Sequence, residues 1–185
     1  MKEKMPHYFL AIPLPEEIKS LLYAYSMSLK KEMHFKKWVL QEDYHITLSF
    51  LGPSSVLQLE SLVFHIQQIT SRHEPFSLQL LDIHTFGLTD APRVLWVNVL
   101  TDKELFDLQE KVKEACKKVG FHVDERQYRP HITLAKRWTG NVPFQTNQMP
   151  SLNQMQWICN KITLYQVDPR RIPNYIPIDE FSLVT

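Results

Sequence analysis

The sequence is poor in glycine, in cysteine and in any excess of charge, and each shortage closes off a class of protein. Four glycines in 185 residues, with 12 prolines scattered singly, leave no flexible linker and no low-complexity tail. Cys116 and Cys159 stand alone, without C-x-x-C spacing, and read as small buried hydrophobes in a reducing compartment. Lysine and arginine number 21 against 20 acidic residues, a formal net charge of +1. Proteins that clamp long nucleic acid draw affinity from phosphate neutralisation and carry a strong basic excess. Near-neutrality therefore argues against long-duplex binding and leaves room for a small anionic ligand, or a strand end, in one local pocket. No apolar segment is long enough to span a bilayer, and Met1 to His7 lacks the apolar run of a signal peptide. A cytoplasmic protein with no membrane contact is expected. Neither H-E-x-x-H nor a carboxylate-adjacent histidine cluster occurs, so no metal and no cofactor are expected.

What is present is enough apolar residue, 44%, for a sizeable core in one domain or two small, intimately packed lobes. Tyr8–Ile12 reads as a strand stopped by Pro13 and Pro15. From Glu16 to about Met33, Ile18, Leu21, Leu22, Tyr25 and Leu29 recur at helical spacing. Ile46–Leu51 is strand-like, and Ser54 or Ser55 can cap a second helix. Strands follow at Phe76–Phe86 and Val94–Leu100. A third helix, capped by Thr101 or Asp102 and ended by Gly120, precedes strands at Ile132–Ala135, Lys161–Val167 and Tyr175–Leu183.

The second half repeats the first. His45-Ile46-Thr47-Leu48 and His131-Ile132-Thr133-Leu134 are identical and lie 86 residues apart. The same shift maps Phe9 onto Leu95, Ala11 onto Val97, and Glu16 onto Asp102, so the match extends over a strand–helix unit. Two such units make two lobes about an approximate two-fold axis, with equivalent residues facing one another across a cleft. Monomer is the expected state, since an internally duplicated cleft needs no second chain.

Strand side chains alternate, so His45 and Thr47 share a face, as do His131 and Thr133, while Ile46, Leu48, Ile132 and Leu134 point into a core. A pocket lined by two imidazoles and two hydroxyls suits a phosphate diester. Imidazole titrates near pH 6.5, roughly at neutrality; a neutral ring takes a proton from water while a protonated ring gives one to the departing alkoxide. Threonine hydroxyls can donate to the non-bridging oxygens. A lone His-x-Thr at a strand start is ordinarily structural; the registered repeat is what points to catalysis. His7, His34, His65, His73, His84 and His122 have no repeated context and read as surface or helix residues.

These motifs, with Phe9-Leu10-Ala11-Ile12-Pro13, Phe50-Leu51-Gly52, Pro92-Arg93-Val94-Leu95-Trp96 and Arg129-Pro130, make the chain resemble the two-histidine (2H) phosphoesterase superfamily. The closer likeness is to its RNA 2′,3′-cyclic phosphodiesterase branch, historically called the LigT or 2′-5′ RNA ligase family. The resemblance implies an α+β fold of two lobes, each an antiparallel sheet flanked by helices, around a central cleft. It implies metal-independent hydrolysis of 2′,3′-cyclic phosphates, on RNA ends or nucleosides, to 2′-phosphomonoesters. His45 would be the proton donor, His131 the acceptor, and Thr47 and Thr133 the phosphate ligands. The repeat itself is symmetric and does not assign these roles. The alternatives are 2′-5′ ligation by the reverse reaction and a non-catalytic RNA-end binding module. The chain departs from the family in having His7 where an arginine often precedes the opening Phe, and Lys136 where an arginine tends to follow the second motif. Lysine supplies charge without a bidentate fork. Arg129 is a second candidate for substrate, or a surface charge on the sheet edge. Phe9 is the first candidate for stacking a base, whereas Trp38, Trp96 and Trp138 read as core or lobe-interface residues. Lys30-Lys31, Lys36-Lys37 and Arg170-Arg171 read as solvated surface, with contact to an RNA backbone as the alternative.

Overall fold

The computed structural model describes residues 5–145 and 149–184. Strands β1 (His7–Pro13), β2 (Phe35–Trp38), β3 (His45–Pro53), β4 (Phe76–Gly87), β5 (Pro92–Thr101), β6 (His131–Trp138), β7 (Gln156–Cys159), β8 (Lys161–Val167) and β9 (Tyr175–Ser182) form one antiparallel sheet. Its helices are α1 (Glu16–Leu29), α2 (Val56–Thr70) and α3 (Lys103–Lys118). No helix of the described residues is long and apolar enough to cross a membrane.

Local chemistry sets the helix ends. Ser55 accepts from the backbone of Gln58 while the Gln58 side chain accepts from the Ser55 N–H, a reciprocal capping box that starts α2. α3 buries Leu105, Leu108, Val112, Ala115 and Cys116 on one stripe and closes with Lys117 and Lys118, favourable charges at a helix C-terminus. α1 stops at Leu29, earlier than its apolar spacing suggests; Met33 still reaches the core, after a turn in which its N–H bonds the Leu29 carbonyl. Strands β2 and β7 have four residues each, too short and too polar to stand out in the sequence.

The strand order is β7-β4-β5-β6-β3-β1-β8-β9, with β2 also on β6. Reading outward from the β6–β3 seam, each side carries a motif strand, then the opening strand of the same half, then a strand lent by the other half: β4 beside β5, and β8 beside β1. At the seam Ile46 pairs with Ile132, its equivalent in the repeat. Ile46, Leu48, Ile132 and Leu134 are at most 3% exposed and lie in the core. The opposite face, with His45, Thr47, His131 and Thr133, is left half-open.

Each motif strand then breaks its alternation at the same place. Thr47 faces Ala11 but Ser49 faces Leu10, and Thr133 faces Trp96 but Ala135 faces Leu95. Leu48 and Leu134 are thus the extra residues of matched β-bulges, which reverse the facing of the residues that follow them. Phe50 and Lys136, one residue past each bulge pair, emerge on the histidine face. The same register corrects the expected alignment of the opening strands. Ala11 is equivalent to Trp96 and Phe9 to Val94, because the connection from opening strand to motif is one residue longer in the second half. Leu95 and Val97 instead turn into the core cluster, which holds neither Phe9 nor Ala11.

Candidate active site

His45 and His131 each begin a strand and are held from behind in the same way. His45 donates from Nδ1 to the Asp43 carbonyl at 2.7 Å, and His131 donates from Nδ1 to the Arg129 carbonyl at 2.7 Å. Asp43 and Arg129 occupy the same repeat position, two residues before each histidine. A carbonyl only accepts, so Nδ1 carries the proton of each neutral ring and Nε2 is the atom that exchanges one. The Thr47 hydroxyl lies 3.0 Å from the His45 Nε2 and donates to it while that nitrogen is unprotonated.

Aromatic rings wall each imidazole. Around His45 stand Phe9 at 4.8 Å and Tyr175, edge-on, at 5.2 Å between centroids. Around His131 stand Phe86 at 5.2 Å and Trp96 at 5.6 Å, both edge-on. Burial disfavours the charged ring, so the pKa of His45 falls from 6.5 to about 4, aided by the charges of Lys136 and His131 and opposed by the Asp43 carbonyl. Burial lowers His131 as well, against the pull of the Arg129 carbonyl. Burial thus favours the neutral form of both rings.

One cavity of about 1260 Å³ takes in His45, Thr47, His131 and Thr133, together with Phe9 and Lys136. Across an antiparallel pair centred on Ile46 and Ile132, His45 and His131 are diagonal neighbours, a relation that spans roughly 7–8 Å between backbones, within reach of one phosphoryl group. Among the described residues, no three His, Cys, Asp or Glu side chains are grouped to hold a metal ion. A family model for the 2′-5′ RNA ligase superfamily matches residues 15–170, both motifs included.

The chain belongs to the 2′-5′ RNA ligase superfamily.

Relatives within curated proteins include a Bacillus subtilis RNA 2′,3′-cyclic phosphodiesterase, 36% identical over 99% of this chain and 100% of that protein. Another, named RNA 2′,3′-cyclic phosphodiesterase in Geobacillus stearothermophilus, is 37% identical over 98% of this chain, which spans 58% of that protein's length. The crystal structure of Escherichia coli LigT complexed with 3′-AMP superposes with a TM-score of 0.83 at 24% identity, covering 97% of this chain and 99% of that one. At that identity the likeness is one of fold.

In this member of the 2′-5′ RNA ligase superfamily, Phe9 does not offer a free ring. It is 3% exposed, stacked on Tyr165 at 5.1 Å and met edge-on by Tyr175 at 4.9 Å, so it braces His45. The ring that stands open to the cavity is Phe50, 55% exposed. Arg129 contributes its carbonyl, while its side chain is exposed and does not line the cavity. Lys136 does line it. Trp96 is buried as expected, but on the cleft face, stacked on the rings of His84 and Phe86 and edge-on to His131. His84 in turn pairs with Asp82 at 3.0 Å. His73 is buried rather than superficial, its ring nitrogens 3.0 and 3.1 Å from the carbonyls of Glu74 and Glu104.

Two further groups escaped the sequence reading. The Asp43 carboxylate is buried and accepts from the backbone N–H groups of Asn174 and Tyr175, each at 3.1 Å. Burial raises its pKa, and the two N–H bonds and Lys37 pull it back. Asp43 thereby fixes His45 through its carbonyl and Tyr175 through its side chain. Arg170, half of an apparently solvated pair, lines the cavity from the loop that Asp43 anchors. An acidic residue two positions before the motif is the only signal in sequence for the first; the second belongs to a basic pair whose alternative reading is contact with an RNA backbone.

Proposed function

We propose that this chain opens the 2′,3′-cyclic phosphate at an RNA end to a 2′-phosphomonoester, with His131 and His45 as general base and general acid. The observation that carries the reading is the matched pair of imidazoles in one cavity wall, each with Nδ1 held by a carbonyl and Nε2 left to exchange a proton. Water attacks phosphorus in line with the P–O3′ bond, losing its proton to the His131 Nε2. The P–O3′ bond breaks and O3′ takes the proton of the His45 Nε2. Thr47 and Thr133 donate to the non-bridging oxygens as charge gathers on them. No step passes through a metal ion. The names of the curated relatives, RNA 2′,3′-cyclic phosphodiesterase, support the substrate class. The reading has the chain acting alone, because one chain supplies both histidines, and in the cytoplasm, where the buried free thiols of Cys116 and Cys159 stay reduced.

The test is incubation of RNA ending in a 2′,3′-cyclic phosphate with the protein in excess chelator, followed by positional analysis of the phosphate. A 2′-phosphate is the expected product. An untouched cyclic end would refute the reading, and joining to an added 5′-hydroxyl strand would assign the reverse reaction.

Burial of the two rings also fixes the pH response. The acid must be protonated, and with a pKa near 4 in the empty site its protonated fraction falls as pH rises past that value. The base must be neutral, and its lowered pKa keeps it so below the ordinary imidazole range. The optimum of kcat/KM, which reports the free enzyme, should therefore lie below pH 6.5, while bound phosphate moves the kcat optimum upward. Coincident optima near pH 8 or above would contradict the buried neutral pair.

A further inference from the structure

Lys37 and Lys136 face each other across β2 and β6 in register. Like charges directly opposite on neighbouring strands destabilise a sheet unless something between them is negative. Among the described residues no carboxylate pairs with either lysine. Lys37 reaches only the side-chain oxygen of Asn174, at 3.3 Å, and the nearby carboxylate of Asp43 is committed to two backbone N–H groups. Burial and the neighbouring Lys37 together lower the pKa of Lys136, the response of a cation short of a counter-charge. Arg170 adds a third positive group from the facing loop, its side chain 90% exposed and bonded to Asp168 at 3.3 Å. In a chain of net charge +1, this gathers three cations at one place, of which Lys37 and Lys136 have no paired carboxylate among the described residues and Arg170 shares Asp168. It stands at the His45 end of the cleft, since the antiparallel pairing of Ile46 with Ile132 sets Thr133 opposite His45 and β6 runs on from there to Lys136. The cavity, about 1260 Å³, exceeds the roughly 300–1,000 Å³ of ordinary small-molecule sites, leaving space beyond one nucleotide.

We propose that Lys37, Lys136 and Arg170 form a second phosphate site, separate from the histidine–threonine centre, that takes the phosphodiester one nucleotide upstream of the cyclic end. It rests on the histidine pair being a cyclic-phosphate centre, and it makes the end of an RNA strand, rather than a free mononucleotide, the preferred substrate.

The test is equilibrium binding of a dinucleotide bearing a terminal 2′-phosphate, compared with its analogue whose internucleotide link is an uncharged methylphosphonate. The wild-type protein should bind the charged form about 10-fold more tightly at low salt. Lys37→Met and Arg170→Gln should each narrow the gap, the double variant should bring it within about 2-fold, and Lys37→Arg should keep it. Equal affinities in the wild type, or a gap that survives the double variant, would overturn the proposal. A full gap in a protein that turns over no cyclic phosphate would instead fell the catalytic reading and leave this site standing.

Discussion

His131→Ala should lower kcat/KM for a nucleoside 2′,3′-cyclic phosphate by about 10²–10⁴-fold, and His45→Ala by a similar factor. Each substitution removes the one Nε2 that can exchange a proton on its side of phosphorus. The rest of the wall stays: Phe86 and Trp96 still pack on each other around position 131, and Phe9, Tyr165 and Tyr175 around position 45. Thermal unfolding should therefore change little while turnover collapses. Because acid and base act in one step, the double variant should be only slightly worse than either single variant. Losses below about 10-fold, or losses that multiply in the double variant, would mean that the two rings do not work on one bond.

Asp43→Ala should damage stability and turnover together. Removing the carboxylate strands two N–H groups, those of Asn174 and Tyr175, at a cost of about 2 kcal/mol, measurable by urea denaturation. The backbone carbonyl that holds His45 remains, so the ring keeps its tautomer. What slips is Tyr175, which walls both His45 and Phe9, and the loop that carries Arg170. We expect kcat to fall about 10-fold at saturating substrate, with Asp43→Asn intermediate because its amide oxygen can still accept. Unchanged stability in Asp43→Ala would show that the loop is anchored elsewhere.

The catalytic pair was legible because its information is local and doubled. An identical tetrapeptide in each half, with apolar residues at alternate positions, fixes which side chains share a face, and Ile46, Leu48, Ile132 and Leu134 are buried as that pattern demands. The surroundings were less legible. Strict alternation from His131 would turn Lys136 toward the core and alternation from His45 would do the same to Phe50; the bulges at Leu48 and Leu134 reverse both. Nothing in Thr-Leu-Ser or Thr-Leu-Ala announces a bulge. Family resemblance is what points to Lys136, and nothing in the sequence marks Phe50 as a site residue. The role of Asp43 depends on Asn174 and Tyr175, and the coverage of Phe9 depends on Tyr165 and Tyr175. Those partners arrive on β8, on β9 and on the loop between them, lent to this side of the sheet by the other half of the chain. The one-residue slip between the two opening strands was hidden for a related reason: the connections that absorb it have no repeat of their own.

The most direct measurement is a crystal structure with a nucleoside 2′-phosphate bound. The account predicts a single phosphate group with the Nε2 atoms of His45 and His131 both within hydrogen-bond distance, on opposite flanks, and the Thr47 and Thr133 hydroxyls on its remaining oxygens. A phosphate held by one imidazole alone, or seated away from both, would contradict it.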